Sequence, residues 1–516
     1  MKIKIIIGCL FVLLAAGCSN FLEESSQDEV RPATVGDMEQ VLLGEVYMDA
    51  TNNDNWGKFL HGYSYILTDD RQCNGPREGM EDTDRSSLES TRYAFSWARD
   101  MFDESGGGDD IFLWEELYQR IKGCNVVIDY LDKVTGEELQ RENLKGEALT
   151  MRAFYYFYLV NFFGLPYNYG NPAENPGVPL KLDMVVRNEF LPRNSVAEVY
   201  ESILKDLTEG LRLLEMYPIE RTWLRAGPLM AKAMLSRVYL YMENWDMAAK
   251  YAGEVLEVKP ELLDLVKVKR SNYGMQEFEG GVYHQLTPDE IIWARPPKTP
   301  NRLVETLSRS TFGVSDELAI LFHEEYRYVE GEYSTDFPPV EISPSEDHGD
   351  LRVLHYCREG WDASNGYASF IGCIEKDKSN GNQGIRTAEM YLNRAEANIR
   401  KFMKDGDSRD REAALADLNE LRRHRFNHLL DAYEEVNIID ADALLEFYKK
   451  ERRKELCDEC HHRWFDLRRY GMPQITHRWW VRSGEEQEFV LDTPNKYVLP
   501  IPLRVLNANT KLEPNV

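Results

Sequence analysis

Apolar residues recur at the helical period over much of the chain. Leu144, Ala148, Met151, Tyr155 and Leu159 follow at spacings of three and four, which places them on one stripe of a long helix. Gly164-Leu165-Pro166 is a stop signal for it. A second helix is predicted over 111–131 and a third over 195–216, the latter opened by Ser195 with Glu198 three places on, the pattern of a capping box. Ala231, Leu235 and Tyr239 then run down one helix and Asn244-Trp245-Asp246 makes a turn. Ala248, Ala249, Ala252, Val255 and Leu256 fill a second helix that Pro260 closes. Alanines let two antiparallel helices approach closely and aromatics fill the next gap, as in a tetratricopeptide pair. Another pair is expected over 388–401 and 413–424, its turn swollen by the charged stretch 404–411.

Between these stretches the texture changes. Residues 51–110 and 262–380 are rich in Gly, Asn, Asp, Pro and aromatics, and their apolar runs are short, as in Ile291-Ile292-Trp293. Such runs suit short strands joined by long loops. Long loops in a compact body usually carry function, so these stretches are the expected ligand surface on a helical scaffold. The predicted fold is mainly α: tetratricopeptide-like helix pairs packed against a loop-rich region with a few short strands.

The first residues are of another kind. Lys2 and Lys4 precede an apolar run over 5–16. That run is shorter than the about 20 residues a spanning helix needs, and it has the layout of a secretory signal peptide. Leu14-Ala15-Ala16-Gly17-Cys18-Ser19 follows, small residues ahead of a cysteine as in a bacterial lipobox. Residues 1–17 are therefore expected to leave as a signal peptide, with lipid on Cys18. Residues 18–34, acidic at Glu23, Glu24, Asp28 and Glu29, would form a flexible tether. The rest, 35–516, would be one body: N-terminal helices to 260, a loop-rich ligand region over 261–380, and C-terminal helices and tail over 381–516.

Charge narrows the partners. Lys and Arg number 61 against 88 Asp and Glu, a net −27, which repels phosphate backbones and argues against nucleic acid. A neutral ligand or a partner protein fits better. Of the eight cysteines, Cys9 falls in the signal and Cys18 takes lipid; Cys73, Cys124, Cys357, Cys373, Cys457 and Cys460 remain, with no pairing legible in the sequence.

Four stretches in order then carry a family resemblance: Cys18-Ser19-Asn20-Phe21-Leu22-Glu23; residues 146–157 running on to Phe163-Gly164-Leu165-Pro166; Ala388-Glu389-Met390-Tyr391-Leu392-Asn393-Arg394-Ala395-Glu396-Ala397; and Glu451-Arg452-Arg453-Lys454-Glu455-Leu456 followed by residues 463–469. Leu499-Pro500-Ile501-Pro502 closes the set. The chain resembles the SusD/RagB family of nutrient-capturing surface lipoproteins of Bacteroidetes. The resemblance implies four tetratricopeptide-like pairs, an outer-membrane, cell-surface location through the lipid anchor, and a SusC-like TonB-dependent transporter as partner. Arg152, Arg394 and Arg452 lie on apolar helices near Glu147, Glu389 and Glu455, and charges so placed need partners. They are expected to form buried or half-buried ion pairs that fix helix packing, not a catalytic carboxylate pair.

The function expected is capture of an oligo- or polysaccharide. A sugar ring needs an exposed aromatic against its apolar face and polar groups for its hydroxyls. The loops offer Trp56, Arg71, Asn74, Trp97, Tyr283, Trp293 and Trp361. The alternative is peptide capture of the RagB kind, which needs a cavity lined by polar groups; a glycoside hydrolase would need two carboxylates about 5–9 Å apart across a cleft. No catalytic motif, cofactor site or metal site is expected. Cys457-Asp458-Glu459-Cys460-His461-His462 has the form of a haem or zinc motif, but it lies inside the terminal helical stretch with no second Cys/His pair beside it. It reads as a helix turn carrying two thiols. Gly106-Gly107-Gly108 lacks the Lys-Ser/Thr of a phosphate loop, and Asp405-Gly406-Asp407 lacks the spaced oxygens of a calcium loop.

Overall fold

The structure, a computed structural model, describes residues 32–47, 65–73, 92–103, 112–268, 270–271, 277–278, 280–284, 287–294, 312–328, 347–359, 371–374, 384–482 and 485–515. Cys9, Cys18, Trp56, Asn74, the 106–108 glycines and Trp361 lie outside the described residues.

The first described element is α1 (Val35–Val41), which continues as a π-helical turn to Val46. Thr34 caps it, and Asp37 reaches back to the Thr34 amide. Then comes a row of helices, each packed on the one before. These are α2 (Phe112–Tyr130), α3 (Glu138–Phe163), α4 (Val196–Met216), α5 (Pro228–Tyr241) and α6 (Trp245–Leu256). The predicted stripe on α3 is buried, and so is nearly every other residue from Leu144 to Phe163, because this helix is covered on all sides. Gly164 ends it. Ser195 and Glu198 form the capping box of α4. In the predicted helix pair, Asn244 caps α6 and the helix already starts at Trp245, so the turn spans Met242–Asn244, two residues earlier than its sequence suggests.

After α6 the chain makes its long excursion and returns to the next seat in the same row. α9 (Thr387–Asp405) packs on α6, and α10 (Ser408–Arg423) and α11 (Ala441–Leu456) pack on α9. The turn between α9 and α10 is not swollen: Gly406, with φ +71°, and Asp407 suffice. The charged residues around it are helical, because a cation in a last turn (Lys404) and an anion in a first turn (Asp410) both suit the helix dipole. The excursion carries two short helices, α7 (Asp316–His323) and α8 (Arg352–Tyr356). α12 (His462–Arg469) and α13 (Leu503–Ala508) complete the chain. Among the described residues no helix is long and apolar enough to cross a membrane.

The strands are short and form antiparallel two-stranded ribbons: within the excursion β2 (Arg270–Ser271) pairs with β3 (Glu277–Phe278), β6 (Tyr326–Tyr328) with β7 (Asp347–Gly349), and β8 (Cys357–Glu359) with β9 (Ile371–Ile374). β4 (Ile291–Ala294) pairs with β10 (Gly384–Arg386), so one ribbon joins the outgoing limb of the excursion to its return. The backbones there are so close that a Cβ on Gly384 would lie 2.3 Å from the Trp293 carbonyl oxygen. β1 (Arg71–Cys73) pairs with β5 (Phe312–Val314), which joins the two loop-rich stretches to each other. β11 (Ile475–Arg482) and β12 (Glu485–Leu491) form the longest hairpin. The main core runs through the helix row. A smaller core of Leu263, Val282, Ile291, Leu318, Phe322, Val353 and Tyr356 lies under the excursion.

The α3–α4 contact is the tightest in the row. A Cβ on Gly210 would meet the Thr150 hydroxyl at 2.7 Å and the Gly146 carbonyl at 2.9 Å. Gly210→Ala must therefore part the two helices. It is expected to lower stability by about 1–3 kcal/mol, the usual cost of overpacking, as measured by urea denaturation.

Candidate functional site

Residues 65–73 are held from both sides. Asp69 pairs with Arg463 at 2.6 Å, Asp70 with Arg453 at 2.7 Å, and Arg71 with Asp458. Burial raises the Asp69 carboxyl, but Arg453 and Arg463 outweigh it and hold it at about 2. On the other side His477 of β11 is sandwiched between the rings of Phe95 and Trp97, each 4.1 Å away. Its nitrogens face the carbonyls of Phe95 and Thr68 at 2.8 and 3.1 Å. Burial pushes its imidazole down to about 4 against the pull of those carbonyls.

The residues expected to bind sugar take other roles. Arg71 is buried in its ion pair with Asp458. Trp97 is 3% exposed, sits in the left-handed backbone region at φ +54°, and donates its indole N–H to the Leu67 carbonyl at 3.0 Å. Tyr283 is buried and donates to Glu459 at 2.9 Å. Trp293 is 2% exposed and meets Phe154 edge-on. None of these four presents a face for stacking. The same size and polar tip that suit a glycan platform also suit an anchor that pins a loop to a core. Trp56, Asn74 and Trp361 lie outside the described residues.

Beneath the excursion is a cluster of buried charges. Arg386, the last residue of β10, reaches Glu455 at 2.6 Å, Glu459 at 2.7 Å and Glu290 at 2.9 Å. Arg425 bonds Glu290 at 2.6 Å, Glu455 at 3.0 Å and the Leu263 carbonyl at 2.7 Å. Arg352 bonds Asp350 at 2.6 Å, Glu451 at 2.8 Å and Glu455 at 3.3 Å. Lys454 joins Glu325, Asp350 and Glu451, and Arg422 joins Glu325 and Glu451. Burial alone would raise Glu455, but Arg425, Arg386 and Arg352 hold it well below the usual range. The cluster ties α11 to both limbs of the excursion. Of its members only Glu455 is expected from sequence in a buried ion pair; the further signal is the four-residue spacing of Glu451 and Glu455, which puts both on one helix face.

The helix-borne ion pairs exist, but with other partners than their neighbours. Arg152 pairs with Asp206, Arg394 with Asp417 and Arg452 with Asp466, at 2.6–2.7 Å. Glu147 pairs with Arg225 at 2.5 Å and Glu389 with Arg237 at 2.6 Å. Glu147 and Arg152, like Glu389 and Arg394, are five residues apart and leave their helices on nearly opposite faces. Each therefore meets a neighbouring segment and fixes it.

Residues 457–461 are a break between α11 and α12 and not a helix turn. Asp458, Cys460 and His461 all adopt positive φ. Cys460 Sγ lies 3.1–3.2 Å from the backbone N and O of Gly384, so it too serves the ribbon at the base of the excursion. Burial raises this thiol to about 11, away from reactivity. Among the described residues no group of His, Cys, Asp and Glu is placed to hold a metal ion.

A cavity of 360 Å³ opens beside the start of the excursion. Leu262, Leu263 and Val268 form apolar wall, and Asp264, Lys267, Thr287, Asp289 and His424 supply hydrogen-bonding groups. Asp264 is engaged by His428 at 3.0 Å and Lys267 at 3.2 Å. No Trp, Tyr or Phe lines this cavity, so it lacks the broad ring that a sugar face stacks on.

A family described as "Starch-binding associating with outer membrane" matches residues 20–240, and one described as "SusD family" matches residues 372–516. The chain belongs to the SusD/RagB family. Two SusD-like proteins of Formosa agariphila are 22% and 23% identical to it, over 99% and 78% of this chain and 98% and 79% of theirs. A SusD superfamily structure from Bacteroides vulgatus matches with a TM-score of 0.66 at 21% identity, covering 94% of this chain and 99% of that one. A structure titled SusD-like carbohydrate binding protein, also from Bacteroides vulgatus, matches with a TM-score of 0.64 at 20% identity, covering 93% and 97%. The SusD fold is thus common to these chains. The family is one of carbohydrate-binding, non-catalytic proteins associated with the outer membrane.

Two predictions follow from this SusD-family core. Glu455→Gln leaves Arg386, Arg425 and Arg352 short of a charge and should cost about 3–5 kcal/mol in urea denaturation, as removing one member of a buried ion pair does. Acid should act in two stages. His477, about 4 when folded against 6.5 unfolded, takes up its proton first in the unfolded chain, so its contribution is whole above pH 6.5 and lost as pH falls to 4. Glu396 and Asp69 are both held at about 2, against 4.5 and 3.8 unfolded. Their contribution is whole above pH 4.5 and lost as pH falls towards 2. Urea midpoints taken across pH should show both stages, and His477→Gln should remove the upper one.

Proposed function

We propose that the protein is a cell-surface lipoprotein that captures an oligo- or polysaccharide and hands it to a SusC-like TonB-dependent transporter in the outer membrane. The observation that carries the reading is family membership, matched in both halves of the chain in family order. The lipobox-like stretch ending at Cys18 supports the anchor, and the net charge of −27 favours a neutral ligand over an anionic one. The architecture also supports capture. A helix row rigidified by buried ion pairs holds two loop-rich stretches together through β1 and β5. Binding surfaces on loops work when a rigid scaffold fixes where the loops start and end. Among the loop aromatics expected at the sugar, Trp56 and Trp361 remain the candidates, with Asn74 for hydroxyls.

Purified protein without its signal should bind at least one neutral glycan in a panel of polysaccharides. Trp56→Ala or Trp361→Ala should weaken that binding several-fold, as loss of a dominant aromatic contact worth roughly 2 kcal/mol would. The helical circular dichroism should be unchanged. Binding of oligopeptides with no glycan bound would replace this reading with peptide capture. Cys18→Ala should leave the protein unprocessed or released from the membrane fraction; retention at wild-type levels would rule the anchor out.

A further inference from the structure

Residues 177–194 pass from α3 to α4 along α2, and their backbone is firmly held. Asn125 and Tyr156 donate to the Lys181 carbonyl at 2.8 and 2.9 Å, and Arg152 donates to the Leu182 carbonyl at 3.0 Å. The Met184 amide donates to Asp129 at 2.8 Å. Lys181 and Arg187 both close on Asp183, at 2.5 and 2.6 Å, and with Glu189 the 181–190 stretch carries no net charge. Yet the side chains this backbone holds outward are apolar. Val186 is 93% exposed and Val185 53%, and Leu182 and Phe190 are exposed as well. Single exposed apolar residues are ordinary. Several on one hydrogen-bonded segment, with its charges neutralised in place, have the make-up of an interface core.

The position of this segment says what it meets. Asp129, which holds Met184, lies at the C-terminal end of α2. The turn after that end carries Thr135, whose backbone pairs with Ala33 and Val35 at 2.9–3.0 Å. The chain that leads back to Cys18 therefore leaves the body at the end of α2 that carries the apolar segment. Residues 18–31 can span at most ~50 Å however they are arranged. A bilayer contact would call for Trp and an excess of Lys or Arg. The 181–190 stretch has no Trp, its Lys181 and Arg187 are matched in charge by Asp183 and Glu189, and the whole chain is acidic.

We propose that Leu182, Val185, Val186 and Phe190 form a contact through which the protein docks on its outer-membrane transporter, beside the point where its lipidated N-terminus leaves the body. This rests on the lipoprotein and transporter reading above. The test uses the full-length protein in cells that make the transporter. Val185→Asp with Val186→Asp puts unpaired charge into the contact, so transporter recovered with the detergent-solubilised protein should fall roughly ten-fold or more. Membrane attachment and the thermal midpoint of the body should not change, and Val186→Leu should retain the transporter. A photo-crosslinking residue at 186 should give an adduct with the barrel protein. Wild-type recovery by the double variant, or no adduct where wild type co-purifies, would overturn the contact. So would Val186-dependent sedimentation of the unlipidated body with vesicles of phosphatidylethanolamine and lipopolysaccharide, which would make it a bilayer contact. Failure of wild type itself to recover any transporter would overturn the partnership and the contact with it.

Discussion

Glu455 is fully buried among Arg352, Arg386 and Arg425, and the loop-bearing half of the molecule is hung on that arrangement. Taking charges out of water costs several kcal/mol per ion, and attraction offsets this only when every member is satisfied. The members come from distant parts of the chain: Glu290 before β4, Asp350 and Arg352 around α8, Arg386 at the end of β10, Arg425 after α10, and Glu451, Lys454 and Glu455 on α11. A register slip in the β4–β10 ribbon or a shift of α8 would strand a charge in the interior. Apolar residues of similar volume could fill the same space with comparable stability but would tolerate such slips. The charges select one placement of the excursion relative to the helix row.

The helices were legible because their information is local. Periodicity, the Ser195–Glu198 box and the Gly164 stop each act within a few residues, and each appears where expected. Charge partners were not legible, because they are chosen in three dimensions. Arg152 was rightly placed inside the array, but Asp206 lies 54 residues away on α4, and helical spacing pointed Glu147 elsewhere. The α9–α10 turn was overestimated for the opposite reason: charged residues read as solvated loop, when at helix ends they favour helix.

The site was least legible. Trp97, Tyr283 and Trp293 satisfy every chemical criterion for a sugar platform, and burial removes them from it. The ambiguity is physical. A loop that must be held still needs large side chains with a polar tip turned inward, and a loop that binds sugar needs the same side chains turned outward. Composition is equal in the two cases; only direction differs, and direction is set by strand pairing. Trp293 faces in: β4 packs on α5, and Phe154 of α3 meets the indole edge-on.

Direction also separates the two kinds of surface this protein needs. Capture requires that the ligand come and go, so its surface belongs on loops whose sequence can vary while their ends stay fixed. A lasting partner requires the reverse: a surface that does not move and that water leaves readily. The 181–187 stretch meets the second requirement. Its Lys181 and Leu182 carbonyls and Met184 amide are bonded by α2 and α3, Lys181 and Arg187 are balanced by Asp183 and the neighbouring Glu189, and Val185 and Val186 face out. In a chain of net charge −27, a patch without net charge of its own adds nothing locally to the repulsion of an acidic partner.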